Sequence, residues 1–194
     1  MAERSRWSTM GAPASGPGQC GVEGAKCRVA VLGGADGPTL QALLTAAVAE
    51  WKAAGLHVAG VIAEAHDLPD RACSAGFLRD IGSGEAYPMF LEASPAGTSC
   101  HLDANGVKEA CDAVLGQVGR SDVVVLSKFG KLEATGGGLA PAFAAAIAAG
   151  KPVLTTVSDL HKVACHQFAP DALQLPADAK AIRDWWATIA ALAT

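Results

Sequence analysis

The chain has 194 residues, with 15 Lys plus Arg, 19 Asp plus Glu and a formal net charge of −4. Its length suits one domain of ordinary size, and a hydrophobic fraction of 51% is enough for a sizeable core. The mild acidity and the aromatic content of 5% exclude a protein that binds nucleic acid by neutralising phosphates or stacking bases. No apolar run approaches the roughly 20 residues needed to span a bilayer, which excludes a transmembrane protein.

Residues 1–26 show no apolar periodicity and contain many small residues. We predict a disordered leader there, followed by one domain over residues 27–194. The start of the chain lacks the hydrophobic region of a secretory signal, and the six cysteines form no C-x-x-C pair. We therefore expect a cytoplasmic protein with free thiols.

The first part of the domain alternates strand and helix patterns. Residues 28–32 form a short apolar run that predicts a buried strand, and a glycine-rich turn follows at 33–38. A helix is predicted from about Thr39 to Gly55, because its apolar residues recur at the spacing of one helix face. Three further strands are predicted at 57–63, 77–81 and 87–91.

The second part continues the alternation. Asp103 is a predicted N-cap for a helix over 104–118, and residues 122–126 form the most hydrophobic strand. After a glycine-rich loop at 129–138, we predict a helix at 139–149, a strand at 152–157 and helices at 159–167 and 177–192. Continuous apolar strands that alternate with helices are typical of a parallel sheet covered on both faces. The predicted fold is therefore a three-layer α/β domain with a mainly parallel sheet, whose ligands bind at the carboxyl ends of the strands.

The turn after the first strand partly matches the phosphate-binding pattern G-x-x-x-x-G-K-[ST]. Aligned on Thr39, the chain has Leu32 in place of the first Gly and Pro38 in place of the Lys. The candidate phosphate contacts that remain are Gly33, Gly34, Gly37 and Thr39. Asp36 adds a negative charge that opposes an anion, and Pro38 also suits a plain helix start without any ligand.

A polar, glycine-rich run from 127 to 138 follows the most hydrophobic predicted strand. Ser127 stands where a metal-binding carboxylate would end that strand in a P-loop protein. Lys128 and Lys131 are predicted to supply the positive charge that is missing in the first turn. Glu133 is the candidate catalytic residue, which would position water or the shell of a magnesium ion. The alternative is a long exposed loop, which would also be polar and glycine-rich.

The run SKFGKLEATGGGL at 127–139 resembles the signature of a bacterial domain-of-unknown-function family. That family is similar to the small P-loop nucleoside-triphosphatases and is often encoded beside molybdate transporters. Weaker resemblances lie at 78–84, 97–103 and 151–157, and together they extend over about residues 28–192. The resemblance implies a P-loop-like α/β fold, and the replacement of the motif Lys by Pro38 implies a degenerate phosphate loop.

Cysteine, histidine and tryptophan residues offer further candidates. Cys111 lies on an apolar helix face and is predicted to pack in the core, as is the pair Trp185-Trp186, for which a subunit contact is the alternative. Cys100 is a candidate soft ligand or reactive thiol, or else a packed small residue. His161 and Cys165 are four residues apart on a predicted helix, but no second pair accompanies them, so we predict no metal site.

Two functions are consistent with these patterns. The first is a nucleotide- or phosphate-binding P-loop-like protein with at most weak hydrolysis, for which a nucleoside triphosphate with Mg²⁺ is the candidate cofactor. The alternative is a non-catalytic protein that binds an oxyanion such as molybdate, or that assists molybdenum supply, with molybdate-transport components as candidate partners. Both imply a small anionic ligand and allow a homo-oligomer. An interaction module without a ligand is a third, plainer alternative.

Overall fold

The computed structural model describes residues 27–65, 75–90 and 102–191. The predicted leader and Cys100 lie outside these residues. The strands are β1 (Val29–Gly33), β2 (Val58–Ala65), β3 (Ala75–Asp80), β4 (Ala86–Pro88), β5 (Val123–Phe129), β6 (Val153–Val157) and β7 (Leu173–Pro176). The helices are α1 (Gly37–Ala53), α2 (Ala104–Val118), α3 (Lys131–Ala134), α4 (Ala140–Ala148), α5 (Lys162–Phe168) and α6 (Ala179–Ala190), with a 3₁₀ turn (Asp159–His161) before α5.

Seven strands form one sheet in the order β4-β3-β2-β5-β6-β1-β7. The five strands from β2 to β7 in this order pair in parallel, whereas β3 and β4 extend the sheet as antiparallel strands. The central strands are buried on both faces, as the five consecutive buried residues of β6 show. This burial explains why their sequences are continuous apolar runs rather than alternating ones.

Helices cover both faces of the sheet, and the sheet divides the hydrophobic core into two clusters. On one face, α1 and α6 pack their apolar sides against the sheet, with Trp51 and Trp185 at the contact between the helices. On the other face, α2, α4 and α5 enclose a second cluster that contains Cys111 and Phe143. The predicted three-layer α/β fold with a mainly parallel sheet is therefore confirmed.

The connections that leave the neighbouring strands β1 and β6 run in opposite directions across the sheet. From β1 the chain crosses through α1 towards β2, whereas from β6 it crosses through α5 towards β7, on the opposite face. Ligands of open α/β sheets bind in the crevice that such a reversal creates at the carboxyl ends of the strands. The loops after β1 and β6 and the adjacent end of β5 are therefore where a site is expected.

Several predictions of local structure need correction. Strand β7 has only four residues, and its sequence LQLP alternates and ends in proline, so it carries little strand signal. The predicted loop at 129–138 contains the short helix α3, and α1 begins at Gly37 rather than Thr39. Cys27 is disulfide-bonded, so the prediction of free thiols is wrong for this residue.

The packing predictions for Cys111 and Trp185 are confirmed, since both side chains are buried. Trp186 is partly buried and packs against Trp51, with ring centroids 5.0 Å apart. Within the described ranges, no helix is both long enough and apolar enough to cross a bilayer.

Candidate functional site

The amino terminus of α1, where a phosphate was predicted, is capped by the protein's own carboxylate. Asp36 is the N-cap residue, and its Oδ1 accepts a hydrogen bond from the Thr39 backbone N–H at 2.8 Å. This hydrogen bond holds the pKa of Asp36 below its usual value. Pro38, at the second position of the helix, has no N–H to donate. The first turn therefore has fewer donors for an external anion than a phosphate-binding loop has, and a fixed negative charge beside them.

A lysine does lie beside this turn, but it comes from α5. A Cβ built on Gly33 would lie 3.7 Å from Cε of Lys162 and 3.8 Å from the Val157 carbonyl oxygen. Nζ of Lys162 pairs with Oδ1 of Asp159 at 2.6 Å. The lysine next to the first turn is thus already paired with an aspartate. The sequence does not predict this pair.

Gln41 joins α1 to the carboxyl ends of two strands. Its Nε2 donates to the Ser127 carbonyl oxygen at 3.1 Å, and its Oε1 accepts from the Ala63 N–H at 3.1 Å. The Thr156 hydroxyl donates to the same Ser127 carbonyl oxygen at 2.7 Å. Ser127, which replaces the carboxylate of a P-loop protein, therefore belongs to a hydrogen-bonded brace between α1, β2, β5 and β6.

Glu133 holds the glycine-rich loop after β5 in shape. Its carboxylate accepts the backbone N–H of Gly130 at 2.9 Å on one oxygen and that of Leu139 at 2.8 Å on the other. The residue is only 7% exposed. Gly138 has φ +56°, and a Cβ there would lie 2.3 Å from Glu133 Oε1. The run from Gly130 to Leu139 is therefore a loop closed around its own carboxylate, which requires both the glutamate and the glycine.

Lys128 lies in β5 just before this loop, and Lys131 is the first residue of α3 within it. A Cβ on Gly130 would lie 3.7 Å from Cε of Lys128 and 3.5 Å from Oε2 of Glu133, so the lysine and the carboxylate flank the same glycine. Both lysines are exposed. The buried carboxylate of Glu133 therefore fixes the backbone next to these two lysines.

We call residues 128–139 the lysine loop. This loop borders a cavity of about 210 Å³ on the face of the sheet that α2 covers. The apolar wall of the cavity includes Leu78, Met89, Leu102, Val107 and Leu139. The polar residues that line it include Lys128, Lys131, Ser158 and His161. Small-molecule sites typically combine an apolar wall with a few convergent polar groups. Glu133 also lines the cavity, but its carboxylate already accepts two backbone hydrogen bonds. Because two lysines accompany an apolar wall, the cavity suits an anion that carries an apolar body.

The loop after β6 contributes to both this cavity and the first turn. Ser158 Oγ and His161 Nδ1 are 3.1 Å apart and line the cavity, whereas the neighbouring Lys162 lies beside Gly33. Gly33, Gly34, Gly37 and Thr39 do not line the cavity. The structure thus brings Lys128, Lys131 and Glu133 together with the β6 loop and separates them from the predicted phosphate turn.

A magnesium ion does not fit the residues at this edge of the sheet. Ser127 offers no carboxylate, and both oxygens of Glu133 accept backbone hydrogen bonds. In the described part of the chain, no group of three or more His, Cys, Asp or Glu side chains could hold a metal ion. His161 lines the cavity, whereas Cys165 is buried in the core, where burial raises the pKa of its thiol to about 11.

The rule that ligands bind at the carboxyl ends of parallel strands points to the loop 157–161, which contains Ser158 and His161. The sequence does not single out Ser158, and it singles out His161 only as a metal ligand. Sequence reasoning missed Gln41, Lys162 and the apolar wall. Each of these residues is one ordinary polar or apolar side chain in a helix or loop. Their role depends on which strands are neighbours, and a sequence pattern within one element does not contain that information.

The fold and this cavity define an α/β protein with a cavity at the carboxyl edge of a mainly parallel sheet. A family model described as "Protein of unknown function (DUF2478)" matches residues 29–185, and the chain belongs to this family. The chain is also similar to the molybdenum import ATP-binding protein ModC 2 of Bradyrhizobium diazoefficiens. The two are 31% identical over 136 residues, which are 69% of this chain but 15% of that protein. No solved structure matches the chain.

Proposed function

We propose that this protein binds a nucleotide or a similar phosphate-bearing molecule in the cavity at the carboxyl edge of the sheet. The observation that carries the proposal is the presence of Lys128 and Lys131 in the lining of an apolar-walled cavity. The lysines would hold the anionic group, and the apolar wall would contact the base or another apolar body. Similarity to an ATP-binding protein supports a nucleotide as the first ligand to test.

The same geometry argues for binding with at most weak hydrolysis. Phosphoryl transfer requires that the negative charge on the reacting phosphate groups be stabilised. A P-loop lysine and a magnesium ion usually do this. Here Pro38 replaces the lysine, Asp36 occupies the Thr39 N–H, and Ser127, near the end of β5, offers no carboxylate. We therefore assign Glu133 the task of shaping the lysine loop and assign it no catalytic step.

A molybdate-type oxyanion is the second candidate ligand. The name of the relative includes molybdenum import, and two lysines attract a tetrahedral dianion as they attract a phosphate. In this case the protein would be an accessory protein of molybdenum supply, and it would require no apolar wall. An apolar-walled cavity therefore favours the nucleotide of these two candidates.

A thermal-shift screen distinguishes these functions. The full chain is heated with ATP or GTP, each with and without Mg²⁺, and separately with molybdate, tungstate and sulfate. Stabilisation by the nucleotides supports the proposal, and stabilisation by molybdate and tungstate alone supports the second candidate. If none of these ligands shifts the melting temperature, an interaction module without a small ligand becomes the better interpretation.

A double substitution tests where the ligand lies. Lys128→Met with Lys131→Met removes both charges while keeping most of each apolar stem. The affinity for the best nucleotide is expected to fall about tenfold or more, which corresponds to about 1.4 kcal/mol, and its salt dependence to flatten. The matched control is Lys108→Met with Lys180→Met, because these exposed lysines pair with Asp112 and Asp184 outside the cavity and the net charge changes equally. Equal losses in both variants would contradict the proposed location.

A further inference from the structure

We propose that His161, held by Ser158, is a third contact for the anionic group of the ligand and strengthens its binding at mildly acidic pH. This inference rests on the proposed function and extends it, because it names a residue that would distinguish phosphate-bearing ligands from neutral ones of the same shape. It also makes the affinity of the site dependent on pH.

The geometry of the β6 loop carries this inference. Ser158 directly follows β6 and caps the 3₁₀ turn that His161 closes, so the end of the strand sets the position of both residues. Ser158 Oγ and His161 Nδ1 are 3.1 Å apart. A hydroxyl can donate to a neutral imidazole or accept from a charged one, so this hydrogen bond persists in both protonation states. The other ring nitrogen, Nε2, has no hydrogen-bond partner in the described ranges, and His161 lines the cavity.

The charges around His161 couple its protonation to the ligand. Lys128, at the end of β5, and Lys131, on α3, line the same cavity and oppose a third positive charge. Glu133, also on α3, is engaged by two backbone N–H groups, and on the segment of His161 itself Asp159 is paired with Lys162. His166 follows on α5 and is exposed. A bound phosphate group and an imidazolium at His161 would attract each other, as the phosphate and the two lysines would.

The experiment compares affinities for AMP across pH. Histidine is the side chain whose charge normally changes between pH 5 and 8, and a phosphate monoester titrates in the same range. The readout is therefore the ratio of wild-type affinity to that of His161→Gln at each pH, in which the titration of AMP itself cancels. We expect a ratio of about fivefold at pH 6 that falls below about twofold at pH 8.

Two further variants and one direct observation complete the test. His166→Gln, on the adjoining helix α5 but outside the cavity, is expected to bind AMP as the wild type does at both pH values. Ser158→Ala is expected to lower the affinity part of the way, because it leaves the imidazole less fixed. In NMR spectra, AMP should shift the signals of the His161 ring, and adenosine should not.

The outcomes separate this inference from the function on which it rests. If AMP binding depends on Lys128 and Lys131 but the ratio stays constant with pH, the role of His161 is wrong and the proposed function stands. A ratio equal to that of His166→Gln has the same meaning. If the wild type binds neither AMP nor ATP, both the proposed function and the role of His161 are refuted.

Discussion

The carboxylate of Asp36 accepts the Thr39 backbone N–H at 2.8 Å, in the position that a phosphate oxygen would take at the start of α1. An anion bound there would have to compete with a group that is covalently attached and already charged. This relationship explains why a glycine-rich turn between a strand and a helix does not by itself make a phosphate site. The local pattern was present, but the helix start supplies its own anion.

Substitution of Asp36 separates capping from ligand binding. Asp36→Ala should lower the melting temperature by a few degrees, whereas Asp36→Asn should change it little, because Asn caps helices about as well as Asp. If the ligand binds in the cavity, both variants keep the wild-type affinity for the nucleotide. A tighter complex in Asp36→Asn would instead locate the anion at the first turn.

The cap also has a definite pH dependence. Since the hydrogen bond from Thr39 lowers the pKa of Asp36, its stabilisation is present at neutral pH and is lost as the pH falls through that lowered pKa. The stability difference between the wild type and Asp36→Ala should therefore shrink in acid. Urea unfolding at pH 7 and at progressively lower pH measures it, and a difference that persists in strong acid would contradict the role of the carboxylate.

The fold could be predicted from the sequence further than the site could. Buried parallel strands such as β5 and β6 are continuous apolar runs, and their pattern alone indicates a covered sheet. The prediction that Lys128 and Lys131 leave the carboxyl edge follows from the same reasoning. The order of the strands does not, because it depends on contacts between residues far apart in the chain.

The predicted partnership between the first turn and the lysine loop illustrates this limit. The two segments follow β1 and β5, and β6 lies between these strands. Two strand spacings amount to about 9–10 Å, so the intervening β6 loop, rather than the lysine loop, borders the first turn. Lys162 therefore occupies the position beside Gly33, and no spacing in the sequence indicates it.

The closed lysine loop predicts an asymmetry between two glycines. Gly138→Ala places a Cβ 2.3 Å from Glu133 Oε1, whereas a Cβ on Gly136 has nothing within 4 Å. Both residues have positive φ, +56° and +80°, so backbone strain affects both substitutions. Gly138→Ala should therefore cost more stability and also lower nucleotide affinity, because it displaces the carboxylate that shapes the loop. Similar urea midpoints and affinities in the two variants would show that the loop does not depend on this contact.

The brace formed by Gln41 predicts a stability loss without a charge change. Gln41→Leu leaves the Ser127 carbonyl with fewer donors and the Ala63 N–H without its acceptor. Unsatisfied polar groups of this kind cost about 1–3 kcal/mol in unfolding free energy. Gln167→Leu is the control, because Gln167 is exposed on α5. Equal urea midpoints for both variants would mean that the amide does not hold α1 to the sheet.

Helix α2 contains a matched pair of glycines with opposite expectations. A Cβ on Gly106 would lie 1.8 Å from the Pro88 carbonyl oxygen, because the start of the helix packs directly against β4. Gly106→Ala should lower the free energy of unfolding by about 1–3 kcal/mol. Gly116 has open space around it, and Gly116→Ala should raise it by about 0.4–1 kcal/mol. Urea denaturation of both variants tests the close approach of α2 to the sheet.

The buried thiol of Cys165 predicts a loss of stability in alkali. Burial raises its pKa from 9.0 to about 11, so the folded protein binds the proton more tightly than the unfolded chain does. The thiol's contribution is fully present below pH 9 and is lost as the pH rises towards 11. The stability difference between the wild type and Cys165→Ala should be constant below pH 9 and shrink above it. A difference that does not change up to pH 11 would contradict this burial.

The two edge strands of the sheet share a feature that affects how copies of the protein can associate. Strands β4 and β7 have only three and four residues, and each ends in a proline, Pro88 and Pro176. Proline lacks the N–H that pairing with a further strand would require. Edge strands this short also offer few backbone groups for pairing. Within the described residues, a strand from another chain therefore finds little ladder to continue at either side. If the protein forms a homo-oligomer, we expect this part of the chain to meet its copy through helices or loops rather than by extending the sheet.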